Sequence, residues 1–456
     1  MHLATPIALA QFGLMTMSLV DTAMLGRVSK VDLAAGALGR NIGFAAQTLP
    51  MGLAMALEPL AAQAIGAGHP ERAWGAFTAT LRTIAVAWVP TVVVALALTL
   101  ALPSLGVEPA VVVRTRQFLV AWAPGLFAFP CFIAAKTYLQ ANTRTQPALV
   151  AAIVANVVNL VVCSVLVRGD DALTAVGLPA IGLPRLGALG SGLALTVAGL
   201  VLAIVVLRGA WVLKPQSSII RGERVSSREV VRVGMPVGLQ LLAEIGVFTL
   251  ISVLTGHFGT AVVAANQIAL GLASFTFMGA LGVSGATAVR VGHAVGARDE
   301  AGARRAGLTG IGLGAATMAT SAVVFATIPE VLVRLFTHDP DIVRLGTSLV
   351  RVAALFQLFD GMQAVGAGAL RGAGDVRFAF AGGVVSYWLI GLPLALLFGI
   401  RLGHGALGMW WGLCASLIAA ALIFLYRFSR LKVPVPTARA MTLAGKGGAA
   451  AGSQLH

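Results

Sequence analysis

Four acidic side chains lie inside long apolar runs of this sequence, where a charge is costly. Asp21, Glu58, Glu244 and Asp360 fall within such runs, and the other 17 − 4 = 13 acidic residues fall in loops or at helix ends, where we expect a solvated surface. A carboxylate near the centre of a membrane helix usually faces a partner or a water-filled cavity, because its insertion costs free energy. These four residues are therefore the first candidates for function.

The composition indicates an integral membrane protein. The chain has 456 residues, of which 58% are hydrophobic and 11% charged, whereas soluble domains carry roughly 25% charged residues. Backbone polar groups in lipid must be satisfied within the segment, so the apolar runs are predicted to be helices, and the fold class is all-α. The net charge of +15 does not indicate nucleic-acid binding, because the basic residues are scattered at helix ends, where they face lipid head groups.

Apolar runs long enough to cross a bilayer recur along the whole chain. We predict twelve transmembrane helices, arranged as two six-helix lobes around a central cleft. The approximate spans are 3–25, 38–65, 77–102, 115–137, 147–167, 187–207, 231–256, 262–289, 306–329, 342–369, 378–400 and 405–427.

The longest polar connection divides the predicted spans into two sets of six. We predict an N-terminal lobe over 1–213, a cytoplasmic linker over 214–230, a C-terminal lobe over 231–430 and a disordered cytoplasmic tail over 431–456. If the N-terminus is inside, most Lys and Arg residues of the loops fall on the inner side. This asymmetry favours two cytoplasmic termini in the bacterial inner membrane.

The two halves repeat. At a constant offset of 236 − 6 = 230, about sixty residues align without a gap. An even number of helices per repeat gives both halves the same orientation, as in transporters with parallel repeats, where the substrate path lies between the lobes. The aligned pairs include Pro6 with Pro236, Gly26 with Gly256, Gly52 with Gly282, and Gly66 with Gly296.

Glu244 and Asp360 are predicted to lie at similar depths. Glu244 lies 244 − 231 = 13 residues into a span that enters from the inside, and Asp360 lies 360 − 342 = 18 residues into one that enters from the outside. These distances are about 20 Å and about 27 Å along the helices, both near mid-membrane. Paired carboxylates there suit a sodium ion or a transported proton; the alternative is that each is neutral and hydrogen-bonded.

Other polar residues within the spans give weaker signals. Asp21 lies toward the outer end of the first helix and has an interfacial alternative, and Pro6 is predicted to bend that helix. For Glu58, solvation by head groups is favoured over a contact at a gate. Gln267 and Gln363 are expected to line a cavity.

Nothing in the sequence suggests an enzyme or a cofactor. Cys131, Cys163 and Cys414 lie in apolar runs without metal-ligand spacing, and the seven His residues are dispersed. An intramembrane enzyme would need a motif such as HExxH or GxSxG, and none is present.

Six segments in order resemble the multidrug and toxic compound extrusion (MATE) family, and within it the NorM-like branch, over essentially the whole chain to about Arg430. No single segment is a catalytic signature. They are VDTAMLGRVSKVDLAA at 20–35, QAIGAGHPERA at 63–73, GMPVGLQLLAE at 234–244, GTAVVAANQIAL at 259–270, VGHAVGARDEAGARRAG at 291–307 and FDGMQAVGAGALRGAGD at 359–375.

The resemblance implies roles for particular residues. Asp21 matches the first-helix aspartate that is implicated in cation or proton binding and in helix bending. Asn159 and Thr196 match its neighbours in the first lobe. Pro6 and Pro236 are the candidate bending positions. Glu244 and Asp360 match the second-lobe cation site, the candidate sodium site of this chain. Gln267 matches a cavity residue.

One position departs from the family pattern. Cys163 stands where the family usually has Asp or Asn, which removes an oxygen ligand from the first lobe. This argues against sodium binding there and favours Asp21 as a proton carrier.

The function implied is secondary active efflux of cationic amphipathic drugs or dyes in exchange for sodium or protons. We expect a monomer whose partners are small cations and membrane lipid, with no nucleic acid. A lipid-linked precursor flippase of the same superfamily is the alternative, although such a protein would carry a basic cavity, and an intramembrane enzyme is a remote one.

Overall fold

The computed structural model describes residues 4–175, 177, 179–216 and 225–431. The described residues contain helices and no strand, as predicted. Part of the predicted linker and almost all of the predicted tail lie outside them. The helices are α1 Ala4–Gly26, α2 Lys30–Met55, α3 Leu57–Gly66, α4 Pro70–Leu98, α5 Pro109–Ala141, α6 Gln146–Arg168, α7 Asp170–Thr174, α8 Gly187–Val212, α9 Ser227–Leu254, α10 Thr260–Gly296, α11 Glu300–Thr327, α12 Pro329–Arg334, α13 Pro340–Gly372, α14 Val376–Val384, α15 Leu392–Leu396 and α16 Gly405–Ser429.

These helices make the predicted twelve crossings. Eleven of the described helical stretches are long and apolar enough to span a membrane. The remaining crossing consists of α2 and α3, which meet at Ala56 and carry polar residues along α2. The crossing at Val376–Arg401 is also composite, because π-helical segments connect α14 to α15 and follow α15. Pro393 lacks the N–H that would bond to the carbonyl four residues earlier, which favours the irregular winding there.

Short polar side chains set where several helices begin. Ser29 accepts a hydrogen bond from Asp32 N at the start of α2, and Asp339 accepts from Asp341 N and Ile342 N at the start of α13. Such caps satisfy amides that have no partner within the helix. Asp32 corrects our expectation of a solvated loop residue: it is 7% exposed, and its Oδ1 accepts from Ala188 N of α8 at 2.9 Å.

Each half of the chain has its own apolar core. In the first half, Phe77 stacks on Tyr138 with ring centroids 4.9 Å apart. In the second, Phe356 packs against Trp410 at 5.6 Å. Burial of large aromatic side chains dominates the energetics of such cores. The halves therefore pack as two lobes, one from α1–α8 and the other from α9–α16.

Some contacts between the lobes are made by pairs of residues that are equivalent in the internal repeat. A Cβ atom on Gly66 would lie 2.2 Å from the His293 carbonyl oxygen, and one on Gly296 would lie 2.1 Å from the Gln63 carbonyl oxygen. These residues are equivalent, since 63 + 230 = 293 and 66 + 230 = 296. Each lobe thus presents the same close contact to the other, so the repeat axis passes between the ends of α3 and α10.

Hydrogen bonds follow the same symmetry. Gln63 Nε2 donates to the carbonyl of Gly372 at the end of α13, at 2.9 Å. His293 Nε2 lies 2.8 Å from the carbonyl of Ala141 at the end of α5. Both bonds tie one lobe to the last turn of a helix in the other lobe. We call this region, where α3, α5, α10 and α13 end, the joined end.

Toward the opposite end, the lobes separate. The Phe12 and Phe275 rings touch across the lobes at 4.9 Å, and Phe275 stays 52% exposed. Gln267 and Gly271, eight and four residues before Phe275, are also exposed and share its face of α10. This face points toward the first lobe, so it forms one wall of a cleft that opens away from the joined end.

Candidate functional site

Two acidic residues that are 116 positions apart in sequence (360 − 244 = 116) come together in the second lobe. Glu244 of α9 and Asp360 of α13 interact electrostatically with each other and with the Tyr387 hydroxyl. Asp360 is 6% exposed, whereas Glu244 is only partly buried. These are the two carboxylates for which the sequence predicts similar depths.

Tyr387 reaches this pair from the π-helical segment Val385–Gly391. The next residue, Trp388, donates its indole N–H to the Ala243 carbonyl at 3.0 Å. That bond fixes the π-helical segment against α9, beside Glu244. Single π-helical turns often occur at functional sites, because they move one side chain out of the regular helical spacing.

The surroundings of the acidic pair are rich in oxygen atoms that lack a partner. Among the described residues, Gln240 Oε1, Gln357 Oε1 and Gln363 Oε1 are buried without a hydrogen-bond partner. Gln357 uses its amide N–H to bond Thr276 Oγ1, which leaves its oxygen free. Buried polar atoms normally have partners, so a group of unsatisfied oxygens marks a place where water or a cation fits.

The donor set suits a hard cation or a proton. Carboxylate and amide oxygens are ligands that hard cations prefer, and no cluster of three His, Cys, Asp or Glu residues occurs within the described part of the chain to suggest a transition-metal site. Gln363, expected to line an open cavity, lies instead within this group and is 2% exposed. Gln267 is exposed on the cleft wall, apart from the acidic pair.

Asp21 has very different surroundings in the first lobe. Its carboxylate is fully buried and forms an ion pair with Arg40 of α2, at 3.0 Å between Nη1 and Oδ2. Ser191 Oγ donates to Oδ2 at 2.7 Å, and Cys163 Sγ donates to Oδ1 at 3.2 Å. Asp21 is therefore not an interfacial residue, and the thiol at position 163 acts as a donor to it.

The other first-lobe residues do not form one site with Asp21. Asn159 is fully buried, lies one turn before Cys163 on α6, and has no partner for its amide nitrogen or oxygen among the described residues. Thr196 donates to the Ala121 carbonyl at 2.7 Å, which satisfies its hydroxyl within the helix packing. Neither residue makes a recorded hydrogen bond to Asp21.

The two repeat-related prolines differ in position. Pro6 lies in the first turn of α1, where a missing N–H removes no bond within the described helix, so the predicted bend does not follow from it. Pro236 is the tenth residue of α9 (236 − 227 + 1 = 10), where its missing N–H does remove a backbone hydrogen bond. Of these two prolines, Pro236 is the one that can weaken its helix.

Glu58 corrects the expectation of head-group solvation. It is 8% exposed, and its Oε2 accepts from Arg371 Nε at 2.8 Å across the lobes. Lys136 of α5 is the other cation that interacts with Glu58. Glu58 thus belongs to the joined end rather than to the acidic pair.

Sequence reasoning missed Arg40, Arg371 and Tyr387. Arg40 is a charged residue inside a predicted span, which was a usable signal. Arg371 lies two residues beyond the predicted span 342–369, where a basic residue is ordinary. Tyr387 carried no signal, because a tyrosine in an apolar helix is ordinary.

Comparisons with known proteins agree with this architecture. The family model described as MatE matches residues 6–165 and again residues 236–397. A probable multidrug resistance protein NorM of Pseudomonas putida is 34% identical over 442 residues, covering 94% of this chain and 93% of the relative. The multidrug resistance protein NorM of Burkholderia vietnamiensis is 34% identical over 448 residues, covering 94% and 92%.

Solved structures show the same fold. The eukaryotic MATE transporter AtDTX14 superposes with a TM-score of 0.84 at 19% identity, covering 95% of each chain. The Vibrio cholerae MATE transporter VcmN in its bent form gives 0.81 at 19% identity, covering 94% of this chain and 95% of that one.

Two helical lobes around a cleft, with acidic residues buried in the membrane-spanning region, define an integral membrane transporter rather than an enzyme. The chain belongs to the MATE family.

Proposed function

We propose that this protein is a secondary active multidrug efflux antiporter, which exports cationic amphipathic drugs or dyes in exchange for sodium ions or protons. The observation that carries the proposal is the acidic pair Glu244 and Asp360, which lies near amide oxygens of Gln side chains that lack hydrogen-bond partners. Several relatives are named multidrug resistance proteins, which supports the substrate class.

The conformation described here corresponds to the outward-open state if the joined end faces the cytoplasm. The excess of basic residues in the loops at that end supports this orientation in a bacterial inner membrane, with both termini inside. The cleft then opens to the outside, and Gln267 lies on the wall past which a drug leaves. The second state forms when the contacts at the joined end part.

Exchange requires that cation and drug bind the two states differently. A cation entering from the outside offsets one negative charge of the Glu244 and Asp360 pair, which weakens the attraction of the site for a cationic drug. Rearrangement carries the cation inward, where it dissociates and restores the negative charge. A drug entering from the cytoplasm or the inner leaflet is then held by that charge together with apolar walls.

The proposal is tested with purified protein in liposomes. Ethidium efflux is measured under a sodium gradient alone and under a proton gradient alone. Efflux under one gradient and not the other identifies the coupling ion. No efflux under either gradient, with protein correctly inserted, contradicts the proposal.

A further inference from the structure

Three side chains among the described residues donate to the Asp21 carboxylate. Arg40, Ser191 and Cys163 supply N–H, O–H and S–H groups at 3.0, 2.7 and 3.2 Å. A bound sodium ion needs lone pairs from its neighbours, and the Arg40 guanidinium has none to offer. Arg40 already balances the charge of Asp21, so a proton on Asp21 would leave Arg40 as a largely buried cation without its partner.

Arg40 is held in this position from two sides. Its Nη1 bonds Asp21, and its Nη2 donates to Thr22 Oγ1 at 2.8 Å. The Arg40 side chain is only 17% exposed. A planar guanidinium held by two acceptors has little freedom to leave, and leaving would place an uncompensated carboxylate in the protein interior.

The second lobe has a different balance of charge. Glu244 and Asp360 repel each other and have no ion pair within 4.0 Å among the described residues, although Arg371 attracts Glu244 from beyond that distance. The first lobe thus pairs one acid with one cation in direct contact, whereas the second lobe places two acids together. A cation that arrives at the second lobe relieves this repulsion, and one that arrives at the first lobe does not.

We propose that Arg40 is a fixed internal counter-ion for Asp21, which takes the place of a transported cation in the first lobe and confines cation coupling to Glu244 and Asp360. This proposal rests on the proposed antiport function. Asp21, Arg40, Cys163 and Ser191 all belong to the first lobe, on α1, α2, α6 and α8. The pair therefore moves as one body when the lobes rearrange and stays closed in both states.

The test measures cation binding in the absence of drug. The full-length chain carrying Glu244→Gln and Asp360→Asn is purified, and equilibrium binding of radioactive sodium and proton uptake on acidification are measured. We expect no sodium binding and no proton uptake that depends on Asp21. Adding Arg40→Gln should create one new cation or proton site per chain, and adding Asp21→Asn to that variant should remove it. Arg40→Lys, which keeps the charge, should create none.

Two results would overturn the proposal. One is sodium binding or Asp21-dependent proton uptake while Arg40 is present. The other is a folded Arg40→Gln variant that gains neither ion. If Arg40→Gln does not fold, Arg40→Met keeps the apolar stem and is used instead. The protein with Glu244→Gln, Asp360→Asn and an intact Arg40 still shows whether sodium or a proton binds at Asp21. Failure of ethidium efflux in the unmodified chain would reject the antiport function without altering these binding results.

Discussion

The Glu58 carboxylate on α3 and the Arg371 guanidinium on α13 form an ion pair across the two lobes, 2.8 Å long and nearly excluded from solvent. The residues are 313 positions apart (371 − 58 = 313). The Gln63 and His293 hydrogen bonds beside it follow the repeat, but this pair does not, since the equivalent of Glu58 is Ala288 (58 + 230 = 288). In the exchange proposed above, this charged contact breaks when the joined end opens.

Glu58→Gln should shift the protein away from the state in which the joined end is closed. Breaking a buried pair by removing one partner costs about 3 kcal/mol, on the order of a 100-fold change in the equilibrium. The measurement is labelling of Gln267→Cys on the cleft wall by an impermeant maleimide, because the native cysteines are all buried. Labelling should fall in the Glu58→Gln background.

A matched control is Glu330→Gln, which removes an exposed partner of Arg334. Exposed pairs contribute little to stability, so labelling should not change. Equal labelling in all three proteins would show that the Glu58–Arg371 pair does not hold the lobes together.

Asp360→Asn should abolish ethidium efflux while leaving the amount of protein in the membrane unchanged. The substitution removes one of the two charges on which cation binding depends but keeps the side-chain volume. Asp341→Asn on the same helix is the control, because Asp341 is exposed at the start of α13. Efflux by Asp360→Asn at the level of the control would show that the acidic pair is not the cation-coupling site.

Tyr387→Phe should weaken cation binding without abolishing drug transport. The hydroxyl interacts with Glu244 as a hydrogen-bonding group, and loss of such a supporting group typically lowers ion affinity about 10-fold or more. The cation concentration for half-maximal efflux should rise accordingly, while the maximal rate changes little. Tyr426→Phe, at an exposed position on α16, should leave both quantities unchanged. A Tyr387→Phe protein with normal cation dependence would exclude the hydroxyl from the site.

Gly66→Ala should disrupt the joined end, because its Cβ would lie 2.2 Å from the backbone oxygen of His293. Backbone cannot move aside as a flexible side chain can, so the lobes must separate slightly. Gly312→Ala is the control, since a Cβ there meets nothing within 4 Å, and alanine favours a helix interior. We expect a lower thermal midpoint and slower efflux for Gly66→Ala only. A Gly66→Ala protein as stable and active as the control would show that Gly66 and the His293 carbonyl are not in close contact in the membrane.

The sequence by itself determined the class of protein and much of the architecture. The length and apolarity of the spans predicted the helical crossings, and a constant offset predicted two equivalent halves. Both signals depend only on the order of residues along the chain. The cost of charge in lipid singled out Glu244 and Asp360 without any structure. The family resemblance agreed with the later comparisons.

Only the tertiary structure decided what each buried charge faces. Glu58 belonged to an interlobe pair rather than to head groups, Asp21 proved to be neutralised by Arg40, and Tyr387 joined the acidic pair. These partners lie on different helices, and no rule of spacing relates a residue of α3 to one of α13. The role of a buried charge depends on the sign and hydrogen-bonding capacity of its neighbours, which the fold brings together from distant parts of the chain.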